Sequence, residues 1–186
     1  MTNETTLLAL LESQEAEANA KAEWVAEWIA ANRPLLLAGE FDTDLSTLLA
    51  ELTPPQFNHV FLTNSGSESN DTVIRMARHF WAAQGQPQKK ILISRINAYH
   101  GSTIGGASLG GMSYMHAQGD LPIPGIVHIE QPYWYVNGGE LSPEEYGLKA
   151  ARALEAKILE LGAENVAAFI GEPIQGAGGI IIPPST

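Results

Sequence analysis

Three short stretches hold the side chains that could do chemistry: Ser65-Gly66-Ser67, Tyr99-His100 and Glu172. Each follows a short apolar run, where a strand gives way to a loop or a helix. The first sits directly ahead of a helix pattern. A helix N-terminus offers backbone N–H groups without intrahelical partners and the positive end of the helix dipole, a setting that suits phosphate. Gly66 lets the backbone approach an anion with no Cβ in the way. Ser65 and Ser67 can donate hydroxyl hydrogen bonds to its oxygens. The same residues also suit an ordinary turn or N-cap, with Glu68 completing a capping box on Ser65. The spacing matches neither G-x-x-x-x-G-K-[ST] nor G-x-G-x-x-G, so a nucleotide is not the favoured ligand.

The second stretch, Asn97 to Thr103, offers an aromatic ring that can stack on a flat ligand, with His100 beside it. A surface tyrosine and a structural histidine are the alternative. Gly101 to Gly111 holds five glycines in eleven residues, which indicates a tightly turned segment where backbone passes close to something. Glu172 places a carboxylate at the C-terminal end of a strand, where open sheets carry their chemistry; a capped turn fits that position equally. His59, His79, His116 and His128 lack metal-ligand spacing and read as surface or structural. There is no G-x-S-x-G elbow, and the chain has no cysteine, hence no thiolate nucleophile and no zinc–sulfur site.

The elements that must position these residues alternate. Helix patterns cover 3–32, closed by Asn32-Arg33-Pro34, and Leu45–Leu52, with Asp44 as N-cap. Strand patterns cover His59–Thr63, Lys90–Ser94, Val127–Ile129, Val166–Ile170 and Gly179–Ile182. Between them lie a helix over Glu68–Ala83, with Val73, Ile74, Met76, Ala77 and Phe80 as its inner face, and a long helix over Pro143–Leu161. Ser142 caps that helix, Pro143 opens it and Gly162 stops it. Continuous apolar strands alternating with helices predict an α/β fold with a mostly parallel sheet covered on both faces. The final strand and two prolines read as a sheet interrupted partway.

The chain carries a net charge of −11, of which −8 falls within residues 1–51. That balance argues against nucleic acid as a partner. No apolar run reaches the ~18 to 20 residues of a membrane span. The start is neither a signal nor a transit peptide, and the cytoplasm is the default compartment.

The stretches "FNHVFLTNSGSESNDTVIRMARHFWAAQGQPQKKILISRINAYHGSTIGGASLGGMSYMHAQGDLPIPGIVHIEQPYWY" and "VAAFIGEPIQGAGGIIIPP" resemble the class III aminotransferases, pyridoxal-phosphate enzymes of fold type I, and most of all the omega-amino acid:pyruvate transaminases. The resemblance implies a partial fold type I large domain over 48–186, preceded by an acidic helical segment, 1–47, that does not match. It implies amino-group transfer between an amine and a keto acid, pyridoxal 5'-phosphate as cofactor and a homodimer. By resemblance Ser65, Gly66 and Ser67 form the phosphate cup, Tyr99 stacks on the pyridine face with His100 beside it, and Glu172 lies beneath the cofactor. Gln175 and Ala177 border the substrate. The Schiff-base lysine and the aspartate that pairs with the ring nitrogen are absent. Lys21, Lys149 and Lys157 lie on helix patterns, Lys89 and Lys90 precede a strand, and no residue is assigned the catalytic role. The expectation is a portion of a transaminase that does not turn over alone, or a non-catalytic cofactor-domain fragment or interaction module.

Overall fold

Ile91–Arg95 (β1) is the middle strand of the sheet, and its sequence explains its place. Leu92, Ile93 and Ser94 are fully buried in succession, as in a strand covered on both faces. The computed structural model describes residues 41–185. The helix expected over 3–32 and its stop lie outside the described residues. The chain divides into two compact units, Met1–Leu62 and Thr63–Thr186.

In the first unit, α1 (Phe41–Leu52) begins three residues before Asp44. Asp44 is therefore inside the helix and not its N-cap. The helix ends at Pro54-Pro55 as anticipated, with the Phe57 N–H bonded to Pro54 O at 2.8 Å. The run His59–Thr63 is not a strand. A β-prone run becomes a strand only beside another, and the described sheet consists of three other segments.

In the second unit the strands are β1, β2 (Ile126–Ile129) and β3 (Val166–Phe169), all parallel, in the order β2-β1-β3. Successive side chains on β1 point to opposite faces. Leu92 joins Ile74, Leu109 and Ile126 on one side; Ile93 joins Ile129 and Val166, with Leu154, Ile158 and Leu161, on the other. Helices α2 (Gly66–Ala83) and α3 (Ile104–Leu109) cover the first face, and α6 (Pro143–Leu161) covers the second. Two single-turn helices, α4 (Ser113–His116) and α5 (Trp134–Asn137), lie in the connections. The α/β architecture with helices flanking a parallel sheet is as expected. Gly179–Ile182 is not a strand: a single antiparallel bridge, Gln175 to Ile181, folds the segment back on itself.

Helix α6 is specified locally at both ends. Ser142 and Glu145 form a full capping box, Pro143 opens the helix, and Gly162 follows it at φ 81°. Helix α2 turns a different face inward from the one its apolar residues suggest. Ile74 and Ala77 meet the core, while Val73, Met76 and Phe80 are exposed, Phe80 by 55%. The inward positions include Asn70, Asp71, Arg78 and Trp81, whose polar atoms find carbonyl or side-chain partners.

Candidate functional site

The connection after β1 and the connection after β3 emerge side by side, because the two strands are parallel neighbours. The start of α2 is tied to the first of them. Three expected residue groups therefore meet at one end of the sheet.

Ser65 is the N-cap of α2, and its Oγ accepts the Glu68 N–H at 3.2 Å. The capping box is shifted by one residue, since Glu68 Oε2 accepts the N–H of Asn64 at 3.1 Å rather than that of Ser65. The Ser65 hydroxyl hydrogen remains free to donate. The Gly66 and Ser67 amides have no partner among the described residues. A Cβ built at Gly66 would meet nothing within 4 Å, so the helix start is open where an anion would approach.

Ser67 joins α2 to the loop after β1. Its Oγ accepts the Ser102 N–H at 3.1 Å. Gly101 makes this possible: it has φ 129°, and a Cβ there would lie 2.7 Å from Ser67 Oγ and 2.8 Å from Ser67 Cα. A second tie runs from Asn70 Nδ2 to the His100 carbonyl at 2.7 Å. A third centres on Asp71 Oδ1, which accepts the Thr103 hydroxyl at 2.8 Å and the Gly106 N–H at 3.0 Å.

Tyr99 is 44% exposed, which leaves ring surface for stacking. Its N–H donates to Glu172 Oε1 at 3.0 Å, while Glu172 Oε2 accepts the Gly176 N–H at 3.0 Å. One carboxylate thus clamps both post-strand loops. His100 turns the other way: it is 8% exposed, with Nε2 3.1 Å from Ser94 Oγ. Burial pushes its pKa below the ordinary histidine value; Glu172 pulls it up and His128 adds to the depression.

Gln175 is also buried. Its Nε2 donates to the Ile96 carbonyl at 2.9 Å, and its Oε1 has no partner. A buried acceptor left unpaired costs ~1 to 3 kcal/mol, so its persistence here marks a place suited to a donor. Ala177 is exposed on the turn beyond it. Tyr99 and Glu172 are brought together directly and Ser67 is tied to the same loop through Ser102, whereas the His100 ring is buried against Ser94 instead of lying beside Tyr99; Ser65 and Gly66 flank Ser67, Gln175 is buried, and Ala177 is exposed.

Sequence reasoning missed Asn70, Asp71 and Thr103, which fasten the cradle. It also missed Asn97, held at φ 60° with Nδ2 donating to Gln131 Oε1 at 2.8 Å, and Arg95, which donates to the Glu172 carbonyl at 3.3 Å. The available signal was an Asn-Asp pair within a helix, where neither residue has high propensity and each must have another use.

Lys89 lies over the Trp81 ring at 4.1 Å and donates to the Ala163 carbonyl at 3.0 Å; Lys157 pairs with Glu160 at 2.7 Å. No group of three or more metal-ligating side chains occurs among the described residues, and no helix among them is long and apolar enough to cross a membrane.

Comparison with known proteins gives a consistent picture. The family model for aminotransferase class-III matches residues 21–186, so the match extends into the acidic segment that the sequence reading had set apart. A putrescine–pyruvate aminotransferase of Pseudomonas aeruginosa is 65% identical over 143 residues, covering 77% of this chain and 31% of that protein. A vanillin aminotransferase of Capsicum chinense is 41% identical over 179 residues, covering 95% of this chain and 38% of its own length. The crystal structure of a thermostable (S)-enantioselective omega-transaminase from Thermomicrobium roseum superposes with a TM-score of 0.72 at 42% identity, covering 76% of this chain and 32% of that one. The chain thus spans about a third of the length of the relatives it matches.

Proposed function

The chain belongs to the class-III aminotransferases, and from that premise we propose that residues 63–185 form the phosphate-and-ring half of a pyridoxal-phosphate site serving amino transfer from an amine or omega-amino acid to a keto acid such as pyruvate. The observation that carries the reading is the tie from Ser67 Oγ to Ser102. It joins a helix start with two unpaired amides to the loop that carries Tyr99.

The residues fit the group. The Gly66 and Ser67 amides and the Ser65 hydroxyl would hold the phosphate at the positive end of an 18-residue helix. The exposed Tyr99 ring would cover one face of the pyridine. Glu172 holds the Tyr99 backbone and the 172–176 loop in fixed relation, so that ring and carboxylate meet the cofactor together. When bound, pyridoxal phosphate supplies the electron sink for amino transfer. This half of the site binds and orients. In this reading the reacting amine is not one of Lys89, Lys90, Lys149 or Lys157, and the chain does not turn over by itself. The working enzyme is a homodimer, which sedimentation of the complete protein tests.

The experiment is titration of the chain with pyridoxal phosphate, followed by absorbance, with inorganic phosphate as competitor. Binding should be reversible on dialysis, weakened by phosphate, and weakened about ten-fold in Gly66→Val, equivalent to roughly 1.4 kcal/mol. Indifference to both phosphate and the substitution would remove the phosphate cup. Borohydride reduction that fixes the cofactor to one defined lysine would overturn the claim that this chain lacks the reacting amine.

A further inference from the structure

Beneath the loop that carries Tyr99, three histidines from three different segments form a series. The rings of His116, in α4, and His128, in β2, lie with centroids 5.2 Å apart. His128 is in register with Ser94 of β1, and Ser94 Oγ lies 3.1 Å from His100 Nε2. The partners fix two of the tautomers. His116 Nε2 lies 2.7 Å from the Gly110 carbonyl and 3.1 Å from that of Ala107, and His128 Nε2 lies 3.2 Å from that of Leu109. A carbonyl only accepts, so Nε2 carries the hydrogen in both rings and Nδ1 is the atom left to take a proton.

The carbonyls that receive these bonds close α3, and the residues before α3 hold Ser67. His128 therefore fastens the far end of the 97–111 segment to the sheet and His116 fastens it to α4, while His100 fastens its near end. The charged groups acting on the series are few. Glu172 acts on His100, and the histidines act on one another. Asp71, the carboxylate of α2 that meets this segment, is turned to Thr103 and Gly106. α3 itself has no ionisable side chain.

We propose that His128 and His100 are the acid-sensitive part of a latch: uncharged, they hold the 97–111 segment onto the sheet with His116 as a fixed tie, and protonated, they repel each other and release it together with Tyr99 and the partner of Ser67. The carbonyls of α3 favour a charged His128, but burial outweighs them and His116 adds to the depression; His100 is depressed by burial as well. A histidine held below its ordinary value of 6.5 contributes stability that is complete above that value and is lost as the pH falls through the folded-state value. The latch thus opens on the acid side of neutrality. Its effect on an anion rests on the reading of the cradle given above; its effect on the segment does not.

Hydrogen exchange read by mass spectrometry tests the latch without any cofactor. Between pH ~7.5 and ~5.5, after correction for intrinsic rates, protection over 97–111 should fall about ten-fold more than protection over α6. The double variant His116→Gln/His128→Gln should remove that difference. Equal loss in both segments, or a difference that survives in the double variant, overturns the latch. If the variant does not fold, proton NMR of the unsubstituted chain decides: His100 and His128 should titrate below the ordinary histidine range, and titration of both at the ordinary value refutes the proposal. If the latch holds while pyridoxal phosphate shows no phosphate-sensitive binding, only the cradle reading fails.

Discussion

Replacing Gly101 with alanine strikes the junction on which the site depends. The perturbation has two parts. At φ 129° an L-residue is strained, at about 1 to 3 kcal/mol. The new Cβ would also lie 2.8 Å from Ser67 Cα, a backbone atom that cannot rotate away. Overpacking of that kind costs about 1 to 3 kcal/mol. Together the substitution should remove roughly 2 to 6 kcal/mol, or about 5 to 20 °C in melting temperature for a chain of this size. Urea denaturation followed by tryptophan fluorescence reads the loss. Gly66→Ala is the matched control: its Cβ meets nothing within 4 Å, and alanine in a helix is favoured by up to ~1 kcal/mol. The control should melt no lower than the original chain yet bind pyridoxal phosphate less tightly. If Gly101→Ala melts with the original chain, α2 does not rest on the Tyr99 loop and the cradle as described here is wrong.

Three further outcomes follow from single contacts. Asp71→Ala removes the acceptor of the Thr103 hydroxyl and shares in freeing the Gly106 N–H; chemical denaturation should show a loss of about 1 to 3 kcal/mol. Trp81→Phe deletes the 2.7 Å bond from the indole to the Ala167 carbonyl, and the same assay should register about 1 kcal/mol. Ser142→Ala uncaps α6 at a cost of about 1 kcal/mol. The Ser142 N–H, which the variant keeps, and then its hydroxyl, which the variant loses, hold the Glu145 carboxyl below the ordinary value of 4.5, so that support is present above pH 4.5 and is lost as acid is added. Melting temperature plotted from pH ~5 downward should fall less steeply in the variant than in the original chain.

The elements that could be read from sequence are those whose signals are local. Helix α6 carries its own start, Ser142-Pro143, and its own stop, Gly162, so nothing distant decides it. The start of α2 is equally local, because Ser65 caps it with its own side chain. The inner face of α2 was legible only in part: Ile74 and Ala77 pack as expected, and Val73, Met76 and Phe80 do not. The rest of the face that packs is set by Asn70, Asp71, Arg78 and Trp81, each matched to a partner 12 or more residues away. Periodicity counts apolar residues and is blind to a polar side chain buried against a waiting carbonyl. His59–Thr63 and Gly179–Ile182 failed for a related reason: strand propensity describes a residue, but a strand is a pair. The candidate residues were legible as types in order, Ser-Gly-Ser, Tyr, Glu. Their fastening by Asn70, Asp71 and Thr103 was not, since those contacts depend on where α2 lies against α3.

The two ends of β1 divide the work of this unit. At the start, Lys89 stacks on Trp81 and donates to the carbonyls of Ala163 and Val166, while Arg78 donates to the Lys90 carbonyl. These contacts commit the basic groups there to holding β3 and α2 against β1. At the exit, Tyr99, His100, Glu172 and the start of α2 converge on backbone amides and a single carboxylate. A strand of five residues separates the ends by roughly 15 Å. An ammonium already bonded at one end is therefore not available to react at the other. Releasing it would break two hydrogen bonds and a cation–π contact, each worth about 0.5 to 1.5 kcal/mol, and the strand's length would still lie between it and Tyr99. The sheet thus keeps the Lys89 ammonium and the open start of α2 at opposite ends of β1.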